Sequence, residues 1–210
     1  CFQKKKQVTT TISPKDKPFD FPYYAVDSLP WLIHSIKLSK FDYNNYLSFL
    51  NKEINRFYTL VVDTDTKLVM RDKHFSSMKD FSVRNSSCYD NCMLIMLIND
   101  ILEINKKNPA MKLSNPFFHL RNKDEVNIKK TKQYYSNLFK NNFWNKKEGF
   151  FYDDLDKKSY VAGDANVFPL ILGIVNDDEI ITRIIKKISD EKLDQPLPLR
   201  YSNGNYKIKF

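Results

Sequence analysis

Glycine is scarce in this chain of 210 residues, which holds only Gly149, Gly163, Gly173 and Gly204. These four are too widely spaced to form a glycine-rich phosphate loop, so a Walker sequence and a dinucleotide fingerprint are both excluded. The sequence also lacks the alternation of strands and helices that is typical of a parallel nucleotide-binding sheet. Nucleotide-dependent chemistry of these two kinds is therefore not expected.

Cysteine and histidine are equally rare, with three residues of each type. Three cysteines cannot build a disulfide framework, and the scattered histidines share no zinc-binding spacing with them. Cys88 and Cys92 stand four residues apart on one face of a predicted helix, and we expect a pair of buried free thiols there. We predict no metal site and no cofactor.

Long apolar runs are missing too. No run reaches the ~18 residues of a membrane-spanning helix, and the longest, Cys88–Ile98, is interrupted by Asn91. The basic cluster near the N-terminus is not followed by the apolar segment of a secretory signal, so we expect a cytoplasmic protein.

Residues 1–22 contain three prolines and no periodicity. They are predicted to be an extended lead-in to a domain over 23–210.

The charge balance is strongly basic, with a formal net charge of +9. Such an excess raises the possibility of nucleic-acid binding. The lysines, however, are spread along the chain, alternate with acidic residues and form no aromatic-interleaved RNA motif. Because basic charge alone is a weak signal, nucleic acid is an unlikely partner.

Helical periodicity is what the sequence does contain. Apolar residues recur every three or four positions in six segments, which predicts a mainly α fold with short β-hairpins between the helices. The predicted helices cover about 28–39, 42–57, Cys88 to just before Pro109, 125–142, 164–175 and 177–189. The expected N-caps of three of them are Asp27, Asn85 or Ser86, and Asp164, and Asp177 stands at the start of the last helix. A hairpin or tight turn is predicted over Thr59–Met70, and a second hairpin over Gly149–Ala162.

The stretch from Arg71 to Ile104 is the best candidate for a functional site. Its first half is loop-like and rich in ionisable side chains, and its second half is the most apolar run of the chain. A polar loop before a core helix can hold reactive groups over a pocket, because the scaffold fixes the loop. The alternative is a solvated loop followed by an ordinary core helix.

Several segments resemble, in order, the six-hairpin (α/α) toroid glycosidases, most closely the amylo-α-1,6-glucosidase (glycogen debranching) catalytic domains. The segments are YYAVDSLPWLI (23–33), VVDTDTKLVMRDKHFSSMKD (61–80), SSCYDNCMLIML (86–97), FWNKKEGFFYDDL (143–155), GDANVFPLILGIV (163–175) and LDQPLPLRYS (193–202). The resemblance implies a helical-hairpin toroid. Since the complete ring has about twice as many helices as this chain, it implies about half a ring, the N-terminal half.

The resemblance also implies acid-assisted hydrolysis of an α-glucoside or glucan-type carbohydrate. An inverting glycosidase needs one carboxylic acid and one carboxylate roughly 6.5–9.5 Å apart. Asp80 takes the place of the acid, and Asp90 is the second candidate. The general base of the family lies in its C-terminal half, so a continuation of the chain or a second polypeptide that completes the toroid is expected to supply it.

Ten further residues are candidates for binding the sugar: Trp31, Arg71, His74, Arg84, Tyr89, Asn91, Tyr152, Asp153, Asp154 and Asn166. Several of the catalytic and binding candidates have a structural alternative. Asp80 would be a solvated loop residue, and Asp90 a partner of the helix dipole. The arginines would form weak surface ion pairs, and His74 would be a structural histidine. The aromatic residues would be core, and Asp154 would be a turn residue.

Three functions are therefore compatible with the sequence. The first is a glycoside hydrolase-like domain. The second is a sugar-binding or assembly subunit that keeps the fold but lacks a complete acid–base pair. The third and weakest is a basic helical module that binds nucleic acid or another protein.

Overall fold

The computed structural model describes residues 23–78, 84–117, 128–195 and 201–204, together with the backbone of 11–12 and 18–19. The described part is mainly α, as predicted. Two short antiparallel pairs supply its strands, β1 (Thr11–Ile12) with β2 (Pro18–Phe19) and β3 (Trp144–Asn145) with β4 (Phe150–Phe151). The helices are α1 (Ser28–Ser39), α2 (Leu47–Val61), α3 (Cys88–Lys107), α4 (Ile128–Phe143), α5 (Gly163–Ile171) and α6 (Asp178–Asp190).

Helix α1 has the predicted bounds and buries Leu29, Ile33 and Ile36, which follow helical spacing. Asp27 occupies its N-cap position, but its side chain makes no capping hydrogen bond, so that part of the prediction was wrong. The helix ends at Lys40, which adopts a left-handed conformation with φ of 54°. Such a residue is a common way to terminate a helix.

Helix α2 begins later and ends later than predicted. A 3₁₀ turn over Asn44–Tyr46 precedes it, and the helix continues to Val61. The predicted Thr59–Met70 hairpin is therefore wrong in its first arm, and only an isolated bridge joins Val62 to Val69. The intervening turn is built by Asp63, whose Oδ1 accepts the backbone N–H groups of Asp65 and Thr66.

Helix α3 is the central core element, and every residue from Cys88 to Ile98 is buried. Its N-cap is Ser87, whose Oγ accepts the backbone N–H of Asp90 at 3.0 Å, rather than Asn85 or Ser86. Lys106 and Lys107 lie in the last turn, where positive charge favours the carbonyl end of the helix dipole. Cys88 and Cys92 are buried free thiols, as predicted.

The second β-hairpin lies earlier than predicted. It pairs Trp144 with Phe151 and Asn145 with Phe150, so a strand does lie within Gly149–Ala162, but the predicted pairing was wrong. The turn depends on Gly149, which has φ of +76°, a conformation that L side chains rarely adopt. The Asn145 side chain supports the same turn by accepting the backbone N–H of Glu148 at 3.1 Å.

Helices α5 and α6 form the last helical hairpin. Helix α5 ends at Ile171, before Gly173, which has φ of +62°. Asp177, predicted at the start of the last helix, directly precedes α6 and caps it by accepting the backbone N–H of Ile180. Within α6, Ile180 and Ile184 are buried, whereas Ile185 is exposed.

The chain divides into two compact units, and the division falls within α3. Unit 1 comprises Cys1–Met70, Phe75–Asp80 and Met93–Ile128, and unit 2 comprises Arg71–His74, Phe81–Cys92 and Lys129–Phe210. Of the predicted lead-in over 1–22, only the backbone of β1 and β2 lies within the described residues. None of the helices in the described ranges is both long and apolar enough to cross a membrane.

Candidate functional site

A buried charged cluster forms in unit 2 around Arg84. Its Nη1 lies 3.4 Å from Asp164 Oδ2 and 3.7 Å from Asp153 Oδ1. The side chain of Arg84 is only 5% exposed, and those of Asp153 and Asp164 are 0% and 2% exposed. We call Arg84, Asp90, Asp153, Asp164 and Tyr160 the Arg84 cluster. It brings together residues that are up to eighty positions apart in the sequence.

The residues immediately before α3 determine where the side chains of the Arg84 cluster lie. Ser86 is buried and has φ of 52°, a left-handed conformation that is strained for a residue other than glycine. This turn allows the next residue, Ser87, to cap α3, and it places Asp90 in the first helical turn. The backbone N–H of Cys88 donates to Asp153 O at 2.8 Å, which fixes the start of α3 against the segment that carries Asp153. Strained backbone of this kind often occurs at functional sites.

Tyr160 is the neutral member of the cluster. Its hydroxyl donates to Asp153 Oδ2 at 2.6 Å, the length of a hydrogen bond to a charged acceptor. Burial, together with the charge and hydrogen bond of Asp153, raises the pKa of Tyr160 well above its ordinary value. Tyr160 therefore remains a proton donor to Asp153 across the physiological pH range.

Electrostatics hold Arg84 in its charged form. Burial by itself lowers the pKa of Arg84, but the charges of Asp90, Asp153 and Asp164 outweigh it and leave the pKa raised. One guanidinium thus serves three buried carboxyl groups. Because the carboxyl groups outnumber it, the cluster favours ligands that donate hydrogen bonds and disfavours anions.

Asp154 lies beside the cluster but has its own set of partners. It is fully buried and accepts the backbone N–H groups of Asn85 and Asp156, and it also forms an ion pair with Lys158. The alternative interpretation of Asp154 as a turn residue therefore describes it best. Its predicted role as a sugar ligand stays a prediction.

The two predicted asparagines are also structural. Asn91 donates to Ser86 Oγ and to Ser87 O, and it stabilises the strained turn before α3. Asn166 bonds both backbone polar groups of Phe151 and donates to Ala162 O. Both side chains are fully buried. Like Asp153, they are held by contacts with protein groups, and their role as sugar contacts stays a prediction.

The remaining candidates in unit 2 lie nearer the surface, except Tyr89. Tyr89 is buried and packs edge-to-face on Phe168, with ring centroids 4.9 Å apart. Arg71 is half-exposed, with Nη2 3.4 Å from Asp156 Oδ1, so its alternative as a surface ion pair describes this contact. His74 and Tyr152 are half-buried, and Tyr152 packs edge-to-face on Phe150.

Trp31 belongs to unit 1 and is about one-third exposed. Its ring packs edge-to-face on His34, whose Nδ1 lies 2.7 Å from Asp100 Oδ2. Lys37 pairs with the same carboxylate and lies 3.5 Å from Glu103. We call His34, Lys37, Asp100 and Glu103 the Asp100 network. The sequence analysis did not identify this network.

Asp80, the first candidate for the catalytic acid, lies outside the described residues, and its role stays a prediction.

Two members of the Arg84 cluster were not chosen as site residues. Asp164 was expected to cap α5, but Ala162 holds that position and Asp164 turns toward Arg84. Tyr160 carried no local signal. Arg84 was chosen, but its alternative as a surface ion pair was wrong because the side chain is buried.

The described residues contain no group of three or more His, Cys, Asp or Glu side chains that could hold a metal ion. The contacts within the Arg84 cluster are hydrogen bonds and ion pairs.

Sequence comparison identifies no relative, because no family profile and no curated protein matches the chain. The fold does match a solved structure, the rhamnosidase from Klebsiella oxytoca with rhamnose bound, with a TM-score of 0.61 and 11% sequence identity. The match covers 92% of this chain and 35% of the rhamnosidase chain, so this chain spans about a third of that protein's length. The predicted fold class, a mainly α helical-hairpin domain of the toroid glycosidase type, is confirmed. The likeness supports a glycosidase-like fold in general and not the amylo-α-1,6-glucosidases in particular.

Proposed function

We propose that this chain is part of a glycoside hydrolase-like domain that acts on a neutral carbohydrate of the α-glucoside or glucan type. The observation that carries the proposal is the Arg84 cluster in a chain that has the fold of part of a rhamnosidase. The fold alone would not indicate a function, because unrelated activities share folds. The cluster adds buried, fixed carboxyl groups of the kind that glycoside chemistry uses.

The chemistry of the cluster fits a neutral sugar. Sugar hydroxyls donate hydrogen bonds to carboxylates and accept them from a guanidinium, and such bonds are strong where one partner is charged. The side chains of Arg84 and Asp164 are 5% and 2% exposed, and Asp90 is 6% exposed as a residue, whereas Asp153 has no exposed surface. We place Arg84, Asp90 and Asp164 at the sugar, and we assign Asp153, which accepts a hydrogen bond from Tyr160, to holding them in position.

The reaction roles follow from the same electrostatics. A general acid must carry a proton near neutral pH. Asp90 contributes to raising the pKa of Arg84, so its carboxyl group is electrostatically coupled to the guanidinium. We therefore place Asp90 as an acceptor for a sugar hydroxyl rather than as the catalytic acid. We assign the acid role to Asp80, on its sequence resemblance, and expect the general base from a continuation of the chain or from a second polypeptide.

A second candidate function is a sugar-binding or assembly subunit without turnover. The observation that favours it is that Asp153 accepts a hydrogen bond from Tyr160 and Asp164 accepts one from Arg84. A cluster whose carboxyl groups are committed to protein partners can orient a sugar without catalysing its hydrolysis.

Hydrolysis of 4-nitrophenyl α-glucoside and 4-nitrophenyl α-rhamnoside by the full-length protein tests the proposal. We expect Asp80→Asn to lower kcat by about 10²–10⁴-fold, the usual contribution of general acid catalysis. Asp65→Asn is the matched control, because Asp65 is an exposed turn aspartate in the described structure. Turnover that survives Asp80→Asn would remove the assigned acid. Sugar binding without turnover in the wild-type protein would favour the second candidate.

A further inference from the structure

A short segment near the end of the chain, Tyr201–Gly204, runs along the residues that lead into α5. We call it the strap. The backbone N–H of Gly163 donates to Tyr201 O at 2.8 Å, and the backbone N–H of Val161 donates to Asn203 Oδ1 at 2.7 Å. The backbone N–H of Asn203 donates in turn to Val161 O at 3.2 Å. The strap thus fixes residues 161–163 from one side.

The held residues lie between two members of the Arg84 cluster. Tyr160 immediately precedes them, and Asp164 immediately follows them. Tyr160 donates to Asp153, and Asp164 accepts from Arg84. A shift of residues 161–163 would therefore move both side chains at once.

The strap also touches Tyr160 directly. A Cβ atom added at Gly204 would lie 2.8 Å from Tyr160 Cβ, closer than real Cβ atoms approach their neighbours. The contact is with the base of the tyrosine side chain and not with a flexible end, so rotation of the ring would not relieve it. Glycine at this position is what allows the strap to lie against Tyr160.

A polar link joins the strap to the end of α6. Asn203 Nδ2 donates to Glu191 Oε2 at 2.7 Å, and Glu191 also pairs with Lys187 at 2.9 Å. The Asn203 amide thus bonds Val161 on one side and Glu191 on the other. It is well placed to transmit the position of α6 to the cluster.

We infer that the strap is a positioning element of the proposed sugar site, in which Gly204 and Asn203 set the placement of Tyr160 and Asp164 in the Arg84 cluster. The inference rests on the proposed function for its catalytic consequence. Its structural part stands on the contacts of the strap alone. Neither residue is expected to touch the sugar.

The structural part is tested by ¹⁹F NMR on full-length protein labelled with 3-fluorotyrosine, with Tyr160→Phe identifying the Tyr160 signal by its absence. We expect Gly204→Ala and Asn203→Ala each to move that signal in the direction in which Asp153→Asn moves it. Asn142→Ala is the control, because it removes a comparable amide bond, to Leu138 O, within α4. A Tyr160 signal that stays in place in both strap variants would overturn the inference. Asn203→Ala keeps the test decisive if Gly204→Ala does not fold.

The catalytic part is tested by a double-mutant cycle with 4-nitrophenyl α-glucoside. We expect Gly204→Ala to lower kcat/KM at least about tenfold in the wild-type background and by a smaller factor in the Tyr160→Phe background, because the part of the loss that is transmitted through the Tyr160 hydroxyl is already absent there. An equal loss in both backgrounds would contradict transmission through Tyr160. Wild-type protein that hydrolyses no glycoside would count against the proposed function, and the ¹⁹F result would still decide whether the strap positions Tyr160.

Discussion

The Arg84 cluster in unit 2 and the Asp100 network in unit 1 divide their charges in opposite ways. In the cluster, one buried guanidinium serves several buried carboxyl groups. In the network, one buried carboxylate is shared by two side chains, His34 and Lys37, that keep about a fifth of their surface exposed. The carboxyl groups of the cluster thus depend on one shared cation, whereas the carboxylate of the network has two partners.

Removing Arg84 should have the largest effect. Arg84→Met leaves buried carboxyl groups without their shared cation, and breaking a buried pair from one side typically costs about 3–5 kcal/mol. We expect a loss of that size in the free energy of unfolding, measured by urea denaturation at pH 7. A loss below about 1 kcal/mol would mean that the carboxyl groups do not depend on Arg84.

Tyr160→Phe should have the next largest effect, because it removes a hydrogen bond to a buried charged group. Such bonds are worth about 1.5–3 kcal/mol. The effect should also depend on pH. Since the folded pKa of Tyr160 is raised, the unfolded chain loses its proton first as the pH passes about 10. The stability supplied by Tyr160 is therefore complete below that pH and declines above it.

Thermal unfolding between pH 9 and 11.5 checks this dependence. Tyr160→Phe should lower Tm at pH 9 and flatten the decline above pH 10 in comparison with the wild type. Part of the decline should remain, because burial, and after it the charge of Glu53, raises the pKa of Tyr24 in unit 1 as well. Tyr134→Phe, at an exposed position, is the control. An unchanged alkaline slope in Tyr160→Phe would contradict the assignment.

Asp100→Asn should cost less, about 1 kcal/mol, because its partners are partly exposed and solvent screens them. Lys37 also keeps Glu103 as a second partner. The measurement is again the free energy of unfolding, now at low and high salt. A loss in the free energy of unfolding as large as that of Arg84→Met would show that the Asp100 network is as sensitive to the loss of one residue as the Arg84 cluster.

Arg71→Ala should have the smallest effect. Arg71 and Asp156 are both about half-exposed, and exposed ion pairs contribute roughly 0.2–1 kcal/mol. We expect a change in that range that vanishes in 0.5 M salt. A larger loss that persists at high salt would show that Arg71 has a role beyond its surface pair.

The elements that the sequence predicted well are those with local signals. Apolar spacing within the segment predicted the bounds of α1. Asp177 predicted the start of α6, because its partner Ile180 lies only a few residues away in the sequence. The hairpin over Gly149–Ala162 was misplaced because Phe150 and Phe151 were assigned to the wrong pairing. The partner strand lies before the glycine, at the end of α4.

The site was harder to predict because its defining contacts are long-range. Asp164 was predicted to be a helix cap. In the structure it forms a buried ion pair with Arg84, which lies eighty residues earlier in the sequence and therefore gives no local signal. Tyr160 is one of twelve tyrosines, and nothing near it in the sequence distinguishes it. The Arg71–Ile104 stretch contributes Arg84 and Asp90 to the cluster, and its role as the functional site stays a prediction.

Isothermal titration calorimetry of the full-length protein with glucose, maltose and rhamnose tests the central claim most directly. Wild-type protein and Asp164→Asn are compared at pH 7, with circular dichroism to verify that the variant is folded. The account predicts that the wild-type protein binds at least one of these sugars and that the folded variant binds it at least about tenfold more weakly. Equal affinity of the two proteins for the sugar would contradict the placement of the sugar at the Arg84 cluster.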